Sequence, residues 1–98
     1  MILVNDRFVE RTEATVDIED RGYQFGDGVY EVIRVYGGAP FLLDEHMARL
    51  ARSLREIRLK PPYGIDELTD KIRRLIALNA LGDGIVYLQI TRGASPRT

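Results

Sequence analysis

Apolar residues recur at two periods along the chain, and each change of period marks an element. Between residues 44 and 58, Met47, Leu50, Ala51, Leu54 and Ile57 fall at helical spacing with Arg49, Arg52, Arg55 and Arg58 interleaved, which predicts one amphipathic helix. Asp44 is placed to cap its start and Pro61-Pro62 to stop it. A second helix is predicted by the stripe Leu68, Ile72, Leu75 and Ile76, with Gly82 as its C-terminal stop. Elsewhere the period is two. Residues 2–4 and 8–9 flank Asn5-Asp6, which tolerate a left-handed backbone, and so read as a tight hairpin. Residues 13–18 continue the strand pattern, with Ala14, Val16 and Ile18 on one side and Thr15 and Asp17 on the other. Residues 29–36 are a β-branched and aromatic run, expected to be a largely buried central strand. Gly37-Gly38 turns it back onto residues 39–43 as an antiparallel partner, where Pro40 is tolerated near a strand start or on an edge. Residues 85–91 return to strand. Strands, helix, helix, strand without regular βαβ alternation predicts an α+β domain: a mainly antiparallel sheet with two helices packed on one face.

Composition narrows the function classes. The 98 residues suit one domain, residues 1–98, large enough for a single core. Net charge is −1 with the signs interspersed, so no basic face favours nucleic acid or an anionic membrane. The apolar opening at residues 1–4 runs at once into Asn5, Asp6 and Arg7, giving neither a signal-peptide core nor a membrane span, and a cytoplasmic protein is the expectation. Without cysteine there is no disulfide, thiolate metal site or cysteine nucleophile. His46, the single histidine, lacks companion ligands for a metal and reads as structural or solvated. Lys60 and Lys71, the only lysines, read as surface residues without the desolvated pocket an activated amine needs.

Candidate chemistry gathers around three glycines, Gly22, Gly26 and Gly28, just ahead of the strand at residues 29–36. Glycine there implies close backbone approach or positive φ, as a bulge or turn feeding the strand or as a ligand loop. The spacing fits neither dinucleotide nor Walker phosphate loops, which lead into a helix. Three further side chains are candidates. Pattern alone reads Arg49 as a solvated helix arginine and Arg97 as a basic tail, and leaves Tyr30 open between a core aromatic of the strand and a functional side chain.

The run DRGYQFGDGVYEV at residues 20–32, the segment Asp44-Glu45-His46-Met47-Ala48-Arg49-Leu50, and Thr91-Arg92-Gly93-Ala94-Ser95-Pro96-Arg97 resemble, in order and spacing, the N-terminal part of class IV pyridoxal-phosphate aminotransferases. Within that family they most resemble D-amino acid aminotransferases. The resemblance implies the small domain of the fold type IV enzymes, with pyridoxal 5'-phosphate as cofactor, and amino-group transfer from a D-amino acid such as D-alanine to a 2-oxo acid such as 2-oxoglutarate. Aminodeoxychorismate lyase and branched-chain aminotransferase share the family and are the alternatives, with a non-catalytic module as a third. By resemblance Arg49 binds the cofactor phosphate, while Tyr30 and Arg97 hold the substrate carboxylate, Arg97 in the neighbouring subunit's site of a homodimer. The Schiff-base lysine then belongs to a C-terminal cofactor-binding domain that this chain does not contain. On this reading the chain carries no catalytic residue and no metal ligand, and is inactive on its own.

Overall fold

The computed structural model describes residues 1–94. Strands β1 (Ile2–Val4) and β2 (Arg7–Val9) form the N-terminal hairpin, pairing Ile2 with Val9 and Val4 with Arg7 around a turn in which Asn5 takes φ 55°. Helix α1 (Arg21–Phe25) is a short turn ahead of β3 (Gly28–Tyr36). Strand β4 (Ala39–Pro40), helices α2 (Leu43–Glu56) and α3 (Ile65–Leu78), and strand β5 (Gly84–Thr91) follow. The main sheet runs β4-β3-β5 with both pairings antiparallel, and the hairpin is a separate two-stranded sheet.

The expected α+β architecture stands, and the helices lie on one face. Leu43, Met47, Leu50 and Leu54 form the buried stripe of α2, while α3 contributes Leu68, Ile72 and Ile76. These pack with Ile33 and Val35 of β3, Val86 of β5 and Leu59 into one core. Burying each such aliphatic side chain contributes about 1.5–3 kcal/mol. The N-terminal segment docks on α3 and its two flanks: the Tyr63 hydroxyl, just ahead of the helix, donates to the Asn5 carbonyl at 2.9 Å, Lys71 within it pairs with Asp6 at 2.7 Å, and the amide of its C-cap Asn79 donates to the Met1 carbonyl at 3.0 Å.

Several local expectations fail for identifiable reasons. Asp44 is not the cap of α2. The helix begins two residues earlier than that cap would place it, at Leu43 after Leu42 in a left-handed conformation, and Asp44 and Glu45 instead place negative charge in its first turn. The prolines do not end it either. Arg58 takes φ 55° and the Leu59 amide returns to the Leu54 carbonyl at 2.9 Å, a Schellman closure sealed by buried Leu59. The same closure ends α3, with Ala80 at φ 47° and the Leu81 amide on the Ile76 carbonyl at 3.1 Å, so Gly82 is not its stop. Residues 13–18 form no strand. A 3₁₀ turn spans Arg11–Glu13, and Val16 and Ile18 are exposed. The partner of β3 shrinks from residues 39–43 to Ala39–Pro40, with Pro40 on the edge strand as expected. Nor is β3 buried on both faces: Glu31, Ile33 and Val35 face the helices, whereas Tyr30, Val32 and Tyr36 alternate onto an uncovered face beside Ile85 and Tyr87 of β5.

Candidate functional site

The glycine-rich segment acts as a capped turn that delivers β3 in register. Asp20 caps α1, its carboxylate accepting from the Gly22 amide at 2.8 Å and from the Thr91 hydroxyl at 3.0 Å. Gly26 ends the helix at φ 64°, a conformation that glycine adopts without strain. Gly28 meets the other expectation, close approach, since a Cβ there would lie 2.5 Å from the Ile90 carbonyl oxygen. Asp27 ties the turn to its surroundings: Arg92 donates to it through Nε at 2.8 Å and to the Ile57 carbonyl at the end of α2 through Nη2 at 2.9 Å. Arg21 stands 3.8 Å from the same carboxylate.

Beyond Gly28 the two-residue period of β3 sends neighbouring side chains to opposite faces. Tyr30 lies on the uncovered face, 64% exposed, its ring stacked against Tyr87 at 6.0 Å between centroids. Its hydroxyl is therefore displayed rather than packed in a core. Glu31, next in sequence, turns toward α2 and is only 5% exposed. Arg49 meets it there with two parallel hydrogen bonds, Nε to Oε2 at 2.9 Å and Nη2 to Oε1 at 2.8 Å, the bidentate geometry a planar guanidinium makes with a carboxylate. His46, one helical turn before Arg49, places Nδ1 2.7 Å from Glu31 Oε1. It is thus structural and largely shielded rather than solvated.

Tyr30 and Arg49 accordingly stand at the same end of β3 but address opposite faces of the sheet, and they do not touch each other. Arg49 is neither a free solvated arginine nor a buried one. Its side chain is 57% exposed while its outer end is fixed from beneath. Arg97 lies outside the described residues. Sequence reasoning passed over Glu31, although its phase with Ile33 and Val35 already placed it on the buried face. It also passed over Tyr87, whose register opposite Val32 brings it beside Tyr30.

The hydrogen bond from Arg49, reinforced by His46, holds the Glu31 carboxyl below its ordinary value of 4.5 against the opposing effect of burial. A carboxyl lowered in the folded state stabilises that state above its unfolded pKa, and the contribution is lost as pH falls through the folded value. The stability advantage of the native protein over Glu31→Gln is therefore expected at neutral pH and is expected to shrink below pH 4.5. Urea unfolding of both proteins at about pH 7 and about pH 3 checks it, and a difference that is independent of pH would contradict it.

The lysines differ from each other. Lys60 is exposed. Lys71 is not a plain surface residue: its side chain is 18% exposed, its ammonium pairs with Asp6 and lies 5.3 Å from the centre of the Tyr63 ring. The hydrogen bond to Asp6 raises its pKa, favouring the charged form. Among the described residues no cluster of three or more histidine, aspartate or glutamate side chains could hold a metal ion, and no helix is long and apolar enough to cross a membrane.

The family profile described as amino-transferase class IV matches residues 28–98. Across 98% of its length the chain is 54% identical to a D-alanine aminotransferase of Bacillus licheniformis and 55% identical to one of Listeria monocytogenes, covering 34% of each. Among solved structures, a 4-amino-4-deoxychorismate lyase from Pseudomonas aeruginosa superposes with a TM-score of 0.74 at 36% identity, over 87% of this chain and 30% of that one. A branched-chain amino acid aminotransferase from Escherichia coli superposes with a TM-score of 0.84 at 30% identity, over 91% and 32%. The chain spans about a third of the length of the curated relatives it matches. The profile match, the chain-wide identity and the shared fold agree: the chain belongs to the class IV aminotransferases.

Proposed function

We propose that the chain is the N-terminal small domain of a pyridoxal-phosphate-dependent D-amino acid aminotransferase, which moves an amino group from D-alanine or a similar D-amino acid to 2-oxoglutarate or a similar 2-oxo acid. The observation that carries this is identity of 54–55% to D-alanine aminotransferases along nearly the whole chain. The fold alone does not choose among the family's reactions, because the lyase and the branched-chain enzyme share it.

The cofactor, when bound, supplies an electron sink for the carbanion at the substrate Cα. The described residues fit one part of it. Arg49 offers an exposed, permanently charged fork suited to a phosphate group and already held in one orientation by Glu31. Tyr30 displays its hydroxyl on the open face of the sheet, where it can donate to a substrate carboxylate. Arg97 is assigned the second contact to that carboxylate, across the interface of a homodimer. The amine that holds the cofactor covalently is assigned to a C-terminal domain beyond this chain, so the chain alone is inactive. Small amino acids and 2-oxo acids are the partners, in the cytoplasm.

Three substrate sets offered to the full-length protein test the reading. Pyruvate formed from D-alanine only when 2-oxoglutarate is present is the expected result. Transfer from L-branched-chain amino acids, or release of pyruvate from 4-amino-4-deoxychorismate without an amino acceptor, would assign one of the sister reactions instead.

A further inference from the structure

Glu31 is the one buried charged residue among the described residues, and it sits on the apolar face of β3 in phase with Ile33 and Val35. A carboxylate in that position is costly unless its partners satisfy it, and replacing a buried ion pair by apolar residues of similar volume is often neutral or stabilising. Core packing therefore does not call for it. What it does is visible in the way Arg49 is held. The carboxylate takes Nε and one edge of Nη2, approaching the guanidinium from the side. Of the five N–H donors on an arginine this leaves both protons of Nη1 and the second proton of Nη2, and that Nη2 proton with one of the Nη1 protons forms the end edge of the fork. Among the described residues Nη1 makes no hydrogen bond. His46 does not take up that last Nη2 proton when its Nδ1 carries hydrogen: the 2.7 Å approach to Glu31 is then a donation, and the 3.4 Å separation from Arg49 Nη2 joins two donors.

We propose that Glu31, braced by His46, is the positioning residue for Arg49: it holds the guanidinium side-on so that the end edge is presented, ready-formed, to two oxygens of the cofactor phosphate. The inference rests on the proposed role of Arg49 and adds what makes that role effective. An unrestrained arginine loses much rotamer freedom on binding, and a pre-oriented one has already lost it.

Charge and orientation give opposite signs here, which makes the inference testable. If Glu31 acted on the phosphate only through its charge, neutralising it would remove a nearby negative group and tighten binding. If it acts by orienting Arg49, neutralising it loosens binding. Dissociation constants for pyridoxal phosphate and for pyridoxal, which lacks the phosphate, are to be measured by equilibrium dialysis on the full-length protein and its Glu31→Gln, Arg49→Ala and doubly substituted forms. The expected result is weaker pyridoxal phosphate binding in Glu31→Gln by on the order of 10-fold, the size that supporting contacts behind a ligand usually carry. Pyridoxal binding should be unchanged, and Glu31→Gln should have no further effect once Arg49 is alanine. Glu31→Asp keeps the charge but shortens the reach, so it should also weaken phosphate-dependent binding, and it carries the test if Glu31→Gln does not fold. Unchanged or tighter pyridoxal phosphate binding in Glu31→Gln, with Arg49→Ala weakened, overturns the inference alone. Unchanged binding in Arg49→Ala overturns the phosphate assignment beneath it. Equal losses for pyridoxal and pyridoxal phosphate reduce Glu31 to a structural cross-link and also overturn the inference.

Discussion

Gly28→Ala is expected to lower the thermal unfolding midpoint by about 5–20 °C, because overpacking of this kind costs about 1–3 kcal/mol in a domain of this size. The added methyl would lie 2.5 Å from the Ile90 carbonyl oxygen and 3.0 Å from Thr91 Cα, both backbone atoms of the paired strand. A flexible side chain could swing away, but backbone can yield only if β3 and β5 part at this end. The disturbance falls where Tyr30 and Glu31 follow within three residues, and where the Thr91 hydroxyl and the Arg92 amide tie β5 to Asp20 and Asp27. Gly82→Ala is the matched control, since a Cβ there meets nothing within 4 Å. Scanning calorimetry of the two variants separates the possibilities, and equal midpoints would mean that the strand pair adjusts without strain. Loss of amide-exchange protection at the Gly28 end of β3 should accompany the lower midpoint.

The large features were legible because each rested on a period. Both helices were found from apolar stripes, and the structure buries Met47, Leu50, Leu54, Leu68, Ile72 and Ile76 as those stripes require. The hairpin followed from Asn5, which does take a left-handed backbone. Helix ends were misplaced because the closing motif depends on a left-handed residue that need not be glycine. Arg58 and Ala80 accept that conformation where a buried or packed leucine, Leu59 and Leu81, returns to seal the turn. Residues 13–18 show the opposite error, since alternation alone does not supply a neighbouring strand, and Val16 and Ile18 find none among the described residues.

The candidate site was legible unevenly. Arg49 and Tyr30 drew attention only through a resemblance carried by whole motifs, because a helix arginine and a strand tyrosine are each common without function. Glu31 stood inside the quoted motif and was passed over, although an acid in phase with two buried aliphatics is a local inconsistency of the kind that marks a functional or strained site. What the one-dimensional pattern could not give was the pairing across elements. Glu31, His46 and Arg49 come from a strand and a helix, and only the packing of α2 on β3 turns them into one cluster.

Isolated from any further domain, the chain is expected to form no site-specific covalent link to pyridoxal phosphate. The Schiff-base partner must be an uncharged amine, usually one activated by desolvation or by a second cation. Lys71 has the opposite environment, with Asp6 at 2.7 Å favouring its ammonium form, and Lys60 is exposed to solvent. Arg49 can still attract the phosphate, so weak association without covalent capture is the predicted behaviour. The direct measurement is to titrate the 98-residue chain with pyridoxal phosphate, follow the visible absorption, reduce with borohydride and locate any adduct by peptide mass spectrometry. A weak absorption change that does not saturate, with no lysine preferentially labelled, is the result predicted for one wall of a larger site. A saturable band whose reduced adduct maps to Lys60 or Lys71 would contradict it and make this chain a cofactor protein in its own right.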